Sequence, residues 1–533
     1  MAKTVTTSGR LIRNTFFNVL MLMSNAIIAF FLIRFFLGRL GEARYGVWVL
    51  IGSIFRYRLV LGMGLNSAIN RRIPMYLARD DEEGIQKVAG TALLFFLTVG
   101  FILVLLTVVL SWKIGDWFAI EPEFVRDASV LVLAVGFGFA ASTPLQLATA
   151  VLSGLQRYEI ISIVTLVILT VRTSVIVVLL LRGHGLLTLG ILYGVSEIAS
   201  RAIQFFFVRR LLPGISVSLR SVDRTLLKEM LFYGMNTFLY ATGALIIYRA
   251  SETIAGIFLG TSEVAQFSVA AAGVLLLSEF VQAFTTAIKP AVSDLDTRDE
   301  HVRVRQLAFL TRKYSLLVII PAGAFLVMMG REFLTVWVGE KFENPAVIPS
   351  MAAILTILTF GYCLMLTQHS NFLVLAGRGE HKVFGLLTAL EAILCVASAV
   401  FAVAVLRWGL RGIAWSNLVP MTLVAGVILP IYFNRKMRIS AWDNITHVWW
   451  PALLGTLPSV LLIATWNRVS PPDSWLGLLA VVGAVAVTTV VFSWFLSVES
   501  VERRRLLAGI GLGRGRSETQ NPDVSSAGSR PNG

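Results

Sequence analysis

Apolar windows of about twenty residues, the length that crosses hydrocarbon as a helix, recur along nearly the whole chain. The first six are Phe16–Leu37, Tyr45–Leu65, Val88–Leu110, Ala128–Leu152, Ile160–Leu181 and Leu186–Val208. Leu231–Tyr248, Val264–Ile288, Tyr314–Met329, Ile348–Val374, Val383–Val405 and Ile413–Phe433 follow, and Val448–Thr465 and Trp475–Leu496 close the series. The pattern predicts an all-α polytopic membrane protein with about 14 transmembrane helices. The leading window is too long for a signal-peptide core and has no obvious small-residue cleavage site, so it reads as a retained first span. From Gly511 onward the chain is polar and rich in Gly, Ser and Pro, and disorder is expected there.

Short matches at one offset indicate an internal repeat. Phe36-Leu37-Gly38 and Phe258-Leu259-Gly260 lie 222 residues apart, each followed by an acid, Glu42 and Glu263. Leu152-Ser153-Gly154 and Leu375-Ala376-Gly377, 223 apart, each end a span and open a basic turn. Arg182 with Gly185 and Arg407 with Gly409 recur at a similar spacing. An even number of spans per copy leaves both copies in the same orientation, a parallel repeat. The expected organisation is a six-helix lobe over 1–213, a second over 214–438, two additional helices within 439–499, and a basic cytoplasmic tail over 500–533.

Composition supports the same class: of 533 residues 56% are hydrophobic and 14% charged, with a mean hydropathy of +0.77. A formal charge of +15 would suit nucleic acid in a soluble protein, but here its placement gives another cause. With the N-terminus inside, thirty basic residues fall in inner segments, eleven in outer loops and five within spans: Arg34, Arg56, Arg58, Arg172 and Arg201. This asymmetry places both termini in the cytoplasm, and nucleic acid is not an expected partner. Cys363 and Cys395 form no disulfide framework or redox motif, and five scattered histidines suggest no metal site.

The sharpest chemical signal is Arg56 with Arg58 in the second apolar window. An arginine at mid-membrane costs roughly 2.5–3.5 kcal/mol on insertion scales, so such charges generally face a bundle interior or a wet cavity. Two residues apart on an ideal helix they diverge by about 200°, so both line one cavity only if the helix is distorted, for which Gly62 and Gly64 offer a means. The plainer reading is that one of them snorkels or pairs with a carboxylate on another helix. Asn14, Asn18 and Asn25 form a polar stripe on the first span that either lines a cavity or bonds neighbouring helices, and Arg34 on the opposite side is expected to snorkel.

Acids within spans are few: Glu197, Glu279 and Glu391. Glu279 follows Arg56 by 223 residues, which suggests a gate contact between Glu279 and Arg56 or Arg58; titration of Glu279 to couple protons is the other reading. Arg249, with Glu197, Glu391 and Asn18, is a candidate for the cavity or its gate; the plainer reading of Arg249 is a local pair with Glu252. No GxxxxGK[ST], HExxH or GxSxG motif occurs, so neither an intrinsic ATP site nor a common hydrolytic centre is indicated. The run Asp80 to Glu83 reads as a solvated face.

FFLGRLGEARYGVWVL, GMGLNSAINRRIPMYLARDDEE, LSGLQRYEIISI, IKPAVSDLD and TVWVGEKF resemble the recurring segments of bacterial lipid-linked oligosaccharide flippases and polysaccharide exporters. These belong to the multidrug, oligosaccharidyl-lipid and polysaccharide exporter superfamily, and the likeness runs from Leu11 to about Leu496. The resemblance implies a V-shaped pair of six-helix bundles in the bacterial inner membrane. It implies alternating access that moves a polyprenyl-diphosphate-linked saccharide to the outer leaflet, with a polysaccharide polymerase or glycosyltransferases as further partners. The two added helices are similar to those that help form a lipid-tail groove. Matching positions make Arg56 or Arg58 the diphosphate contact, with Asn25 as a polar neighbour, whereas Arg249 departs from the acid-containing pattern of many members. No cofactor is expected; H+ or Na+ coupling stays open. A multidrug or ion antiporter of the same fold is the first alternative, though its cationic drugs suit arginines poorly. A membrane glycosyltransferase or polymerase is the second, and the short outer connections, with Asp116, Glu121 and Glu123 in no catalytic arrangement, argue against it.

Overall fold

The computed structural model describes residues 7–213, 218–285, 288–380, 382–500 and 502–504, and among them the chain is helical throughout with no strand. The side chains of residues 7–19 fall outside this description, as does the stretch 505–533. The first six spans are α1 (Thr7–Leu40), the pair α2 (Glu42–Arg56) and α3 (Arg58–Leu77), α4 (Glu82–Trp117), the pair α5 (Pro122–Ser142) and α6 (Gln146–Gly154), α7 (Tyr158–Leu181) and α8 (Leu186–Leu211). The next begin with α9 (Arg224–Phe258), the pair α10 (Thr261–Thr285) and α11 (Ile288–Thr297), and α12 (His301–Met328). They continue with the short α13 (Gly330–Val338), α14 (Ile348–Gly377), α15 (Lys382–Ala404), and α16 (Gly409–Leu423), which runs through a π-helical turn into α17 (Leu429–Met437). α18 (Ala441–Asn444) leads through a second π turn into α19 (Trp450–Val469), and α20 (Trp475–Leu496) ends the series.

The helix order recurs. Glu42 and Thr261, which open the second and eighth spans, are 219 residues apart, as are Glu82 and His301, which open the third and ninth. Local chemistry sets the starts: Asp81 accepts from the Gly84 amide at 2.8 Å, and Asp223 accepts from those of Thr225 and Leu226 at 2.8 and 3.0 Å. Each bond satisfies an amide that has no partner within its own helix.

Twelve helices among the described residues are long and apolar enough to cross a membrane, and the protein is a multi-pass membrane protein. The expected count of about 14 is not reproduced on those grounds. One of the two windows left out, Tyr45–Leu65, is split at Tyr57 into α2 and α3; the other, Leu231–Tyr248, lies inside the 35-residue α9, whose ends carry Arg224, Lys228, Glu229, Arg249 and Glu252.

Helices alternate between a basic end, with Arg71, Arg72, Arg209, Arg210, Arg435 and Lys436, and an opposite end, where the turns at Gly41 and Gly260 lie. At the opposite end one continuous apolar core joins both sets of spans, from Phe36, Leu50 and Ile51 to Val264, Trp337 and Leu355. Toward the basic end it divides into two, one around Leu65, Ile69, Ile85 and Leu152 and the other around Val292, Val374, Phe384 and Phe433. The apolar core is therefore forked, single at one end and divided toward the other. α9 straddles the fork, with Leu226 and Met230 in the first divided core and Ile247 and Ile254 in the shared one.

Polar contacts seal the closed end. Gln266 donates to Glu42 at 2.7 Å, Thr261 to Glu121 at 2.6 Å, and the Ala119 amide to the Gly256 carbonyl at 2.8 Å. Arg34 does not snorkel as expected: it donates to the carbonyls of Val336, at 2.8 Å, and Trp337, in the last turn of α13. The last-turn carbonyls are unmatched acceptors at the negative pole of a helix, which a guanidinium satisfies.

After α20 the chain is anchored by a buried pair, Lys313 Nζ with Glu502 Oε2 at 2.7 Å. Lys313 is 2% exposed, so removing its counter-charge strands a buried ammonium. Glu502→Gln should lower thermal stability by an amount corresponding to about 3–5 kcal/mol if no relaxation occurs, read as the melting temperature of purified protein. An unchanged melting temperature would mean that this segment does not hold α12.

Candidate functional site in the cleft between the two sets of spans

The second span breaks where its arginines lie. The hydrogen-bond ladder tightens to i, i+3 bonds, from the Tyr57 amide to the Ile54 carbonyl and from Val60 to Tyr57, both 3.2 Å. A 3₁₀-like step in mid-helix often marks a hinge. The break is at Tyr57, whereas Gly62 and Gly64 sit inside unbroken α3; a Cβ on Gly62 would come 2.9 Å from Gln146 Nε2, so tight packing is what that glycine serves.

The two arginines take different directions. Arg58 turns into the first set of spans: its guanidinium lies 3.8 Å from the Phe139 ring centroid and 3.5 Å from Glu197 Oε2. Glu197 also faces Arg201 at 3.9 Å, and Arg201 donates to Thr149, which donates to Gln204. Arg56 stays exposed in the middle of an apolar run and looks across the cleft, in the electrostatic field of Arg249, Glu252, Tyr193 and Glu279. Of the readings the sequence leaves open, Arg58 takes the one in which an arginine pairs with a carboxylate on another helix. Arg58 holds a carboxylate in place, and Arg56 has no ion pair among the described residues.

Tyr193 joins the cluster. The Arg172 guanidinium lies 3.9 Å from its ring centroid, Trp48 packs edge-on against it at 4.7 Å, and Arg56 is close enough to feel it. Along the sequence Arg172 and Arg201 stand out only as charges within spans, and Tyr193 and Phe139 do not stand out at all. For the arginines the signal was present, since Glu197 and Arg201 are one helical turn apart. For the rings none was, because aromatic residues abound in every span.

On the facing side Arg249 pairs with Glu252 at 3.3 Å, the local pair expected from their spacing. The proposed gate contact is not made: Glu279 feels both Arg249 and Arg56, yet its Oε2 has no hydrogen-bond partner and no direct ion pair joins it to either arginine among the described residues. Arg58 is unavailable to it because Glu197 already holds it. Glu391 sits elsewhere, 1% exposed within the second set of spans, near Tyr240, Tyr248 and Cys395, with one oxygen unpartnered. Asn25 is half-buried on α1, and the Asn18 side chain lies outside the described residues. No group of three or more His, Cys, Asp or Glu able to hold a metal occurs among the described residues.

At the basic end Arg72 on α3 bonds Glu229 on α9 at 2.6 Å, beside a polar cavity of about 310 Å³ that Thr225 and Lys87 also line. Glu229 is more than half exposed, so the pair is worth about 1 kcal/mol at most. Arg72→Glu should raise thiol labelling of a Thr225→Cys reporter by up to about fivefold, and adding Glu229→Arg should reverse it. No reversal would remove any tethering role for the pair.

The site thus offers a guanidinium with no ion pair among the described residues, aromatic faces, and arginines held by a carboxylate, between two sets of spans whose cores divide toward the basic end. A guanidinium in that setting suits an anionic group. Solved structures share the architecture. The lipid II flippase MurJ in an inward closed conformation aligns with a TM-score of 0.68 at 14% identity, over 92% of this chain and 99% of its own. A multidrug resistance MATE family transporter of the MOP superfamily in an inward-facing conformation aligns at 0.63 and 17%, over 79% and 98%. A MOP superfamily transporter from Pyrococcus furiosus aligns at 0.57 and 16%, over 81% and 96%. These likenesses establish the fold. In sequence, an uncharacterized membrane protein of Methanocaldococcus jannaschii is 23% identical over 333 residues, 60% of this chain and 64% of that relative's length. A family described as polysaccharide biosynthesis protein matches residues 36–347, more than half of the chain, and to that family the protein belongs.

Proposed function

We propose that the protein is an alternating-access flippase that moves a polyprenyl-diphosphate-linked oligosaccharide from the cytoplasmic to the outer leaflet, for synthesis of a cell-surface polysaccharide. The observation that carries this reading is Arg56, exposed at mid-span and with no carboxylate at bonding distance among the described residues, between two sets of spans whose apolar cores divide toward the basic end. A diphosphate crossing oil needs fixed positive partners, and a guanidinium matches phosphate oxygens in geometry as well as charge. Family membership, and a fold shared with a lipid II flippase, support the same substrate class.

The functional units in this reading are lobes 1–213 and 214–438, the added helices within 439–499 and the tail 500–533. The forked end then faces the cytoplasm, with both termini, in the bacterial inner membrane; the chain acts as a transporter rather than an enzyme. A polymerase or glycosyltransferases would act on the flipped product. A multidrug antiporter shares the fold, but a cationic drug would meet Arg56, Arg172 and Arg249 in the cleft. The test is reconstitution in proteoliposomes with a fluorescent lipid-linked saccharide, with and without an H+ or Na+ gradient, and with a lipophilic cation as competitor. Translocation of the saccharide lipid is expected; a protein that moves only the cation is an antiporter and ends the proposal.

A further inference from the structure

Arg312 and Lys313 are neighbours on α12, both buried, and among the described residues only one of them has a counter-charge. Lys313 has Glu502 and, at 3.1 Å, the Ser497 carbonyl. Arg312 is 8% exposed; its Nε donates to the Ala308 carbonyl at 3.3 Å, and its guanidinium lies 5.4 and 5.1 Å from the ring centroids of Phe309 and Phe433. Its Nη2 has no hydrogen-bond partner, and no carboxylate pairs with it among the described residues. A buried cation in that condition costs several kcal/mol unless an anion completes it.

Arg312 lines a cavity of about 260 Å³ between α12, α14, the π turn after α16, α17, and α18 with its following π turn. Asn371 and Asn444 line the same cavity. Each spends its amide nitrogen inside the protein, on Gln368 and Asn434 respectively, both at 2.8 Å, and each leaves its carbonyl oxygen unpartnered. The open valences are therefore one cationic donor and two neutral acceptors. Their complement is an anion that also carries hydroxyl groups.

The position selects its source. Trp442, Trp449 and Trp450 are all exposed on the segment that walls the cavity, and Trp449 lines it. Exposed tryptophans gather at the headgroup level of a bilayer. The volume is below that of most drug-sized ligand sites, which suits a small headgroup rather than an oligosaccharide.

We propose that this cavity binds the phosphate and hydroxyls of an anionic lipid of the phosphatidylglycerol type, at an accessory site distinct from the cleft at Arg56. The two sites share no residue, so this inference stands or falls apart from the flippase reading.

The test uses the full chain, delipidated in detergent, then offered phosphatidylglycerol, phosphatidylcholine, glycerol 3-phosphate or inorganic phosphate. Bound lipid is counted by native mass spectrometry and stabilisation is followed by melting temperature. Phosphatidylglycerol should be retained at least tenfold more than phosphatidylcholine and should raise the melting temperature. Arg312→Gln should abolish both effects while leaving the delipidated melting temperature unchanged or higher, since it removes an uncompensated charge; Asn444→Ala should weaken retention several-fold. Equal retention of the two lipids, or retention by Arg312→Gln, overturns the site. A lower melting temperature of delipidated Arg312→Gln overturns it too, because Arg312 would then be a structural stacking residue. Displacement of phosphatidylglycerol by glycerol 3-phosphate or phosphate at matching concentration overturns the lipid source.

Discussion

Gly46→Ala is expected to pry open the closed end of the protein and stop transport. A Cβ at Gly46 would lie 1.8 Å from the Thr261 carbonyl oxygen and 2.5 Å from its carbonyl carbon. Those are backbone atoms at the start of α10, so no side chain can rotate out of the way. Relief requires moving α2 away from α10, which pulls apart the Gln266–Glu42 bond and shifts α2 against α9, where Ser53 bonds Thr253 at 2.9 Å. Overpacking typically costs about 1–3 kcal/mol, and a rigid contact belongs at the upper end, enough to shift a two-state equilibrium roughly a hundredfold. Most of each half's own core lies away from this contact, so the variant should still insert and run as a single species in detergent. A cysteine replacing Ser53, which is 1% exposed, should be silent to maleimide in the parent and reactive in the Gly46→Ala background, with flipping down at least tenfold. Continued silence together with normal transport would show that this joint never has to move.

Arg56→Gln should cost about 10- to 100-fold in flipping of a diphosphate-linked lipid, the equivalent of one or two charge-assisted hydrogen bonds at about 1.5–3 kcal/mol each. Protein amount and melting temperature should hardly change, because Arg56 makes no direct ion pair among the described contacts. Arg58→Gln should behave differently: it leaves Glu197 with Arg201 alone, so both stability and transport should fall, and Glu197→Gln should restore part of each. That contrast separates a group that meets cargo from one that holds its neighbours. If Arg56→Gln flips at the parental rate while Arg58→Gln does not, the cargo contact has been assigned to the wrong arginine. A reversal pair, Arg56→Glu with Glu279→Arg, asks in addition whether the two approach each other in another state of the cycle, since they do not pair in this one.

Much of the architecture was legible from hydrophobicity alone. A bilayer forces every spanning backbone group to be satisfied within its own helix, so a twenty-residue apolar window has few alternatives. The offset between the Phe36 and Phe258 segments was readable for a related reason: duplicated helices keep their lengths, and the starts of the second and eighth spans, Glu42 and Thr261, repeat that spacing closely. The chain also marked out its costly charges, Arg56, Arg58, Glu197, Glu279 and Glu391, because polar groups are rare in such windows.

What each charge does was decided only in three dimensions. Arg56 and Arg58 read as equivalent along the chain; the 3₁₀ step at Tyr57, together with Glu197 and Phe139 arriving from α8 and α5, sends one inward and leaves the other facing the cleft. Arg34 looked like a snorkelling side chain and instead caps α13 more than three hundred residues away. Arg312 and Lys313 carry the same charge at adjacent positions, and only folding put Glu502 beside the second and a hollow lined by Asn371 and Asn444 beside the first. Apolar burial is a property that each residue carries with it, so linear order suffices to locate spans; the standing of a buried charge depends on which atoms come within a few ångströms, and those are supplied by distant parts of the chain.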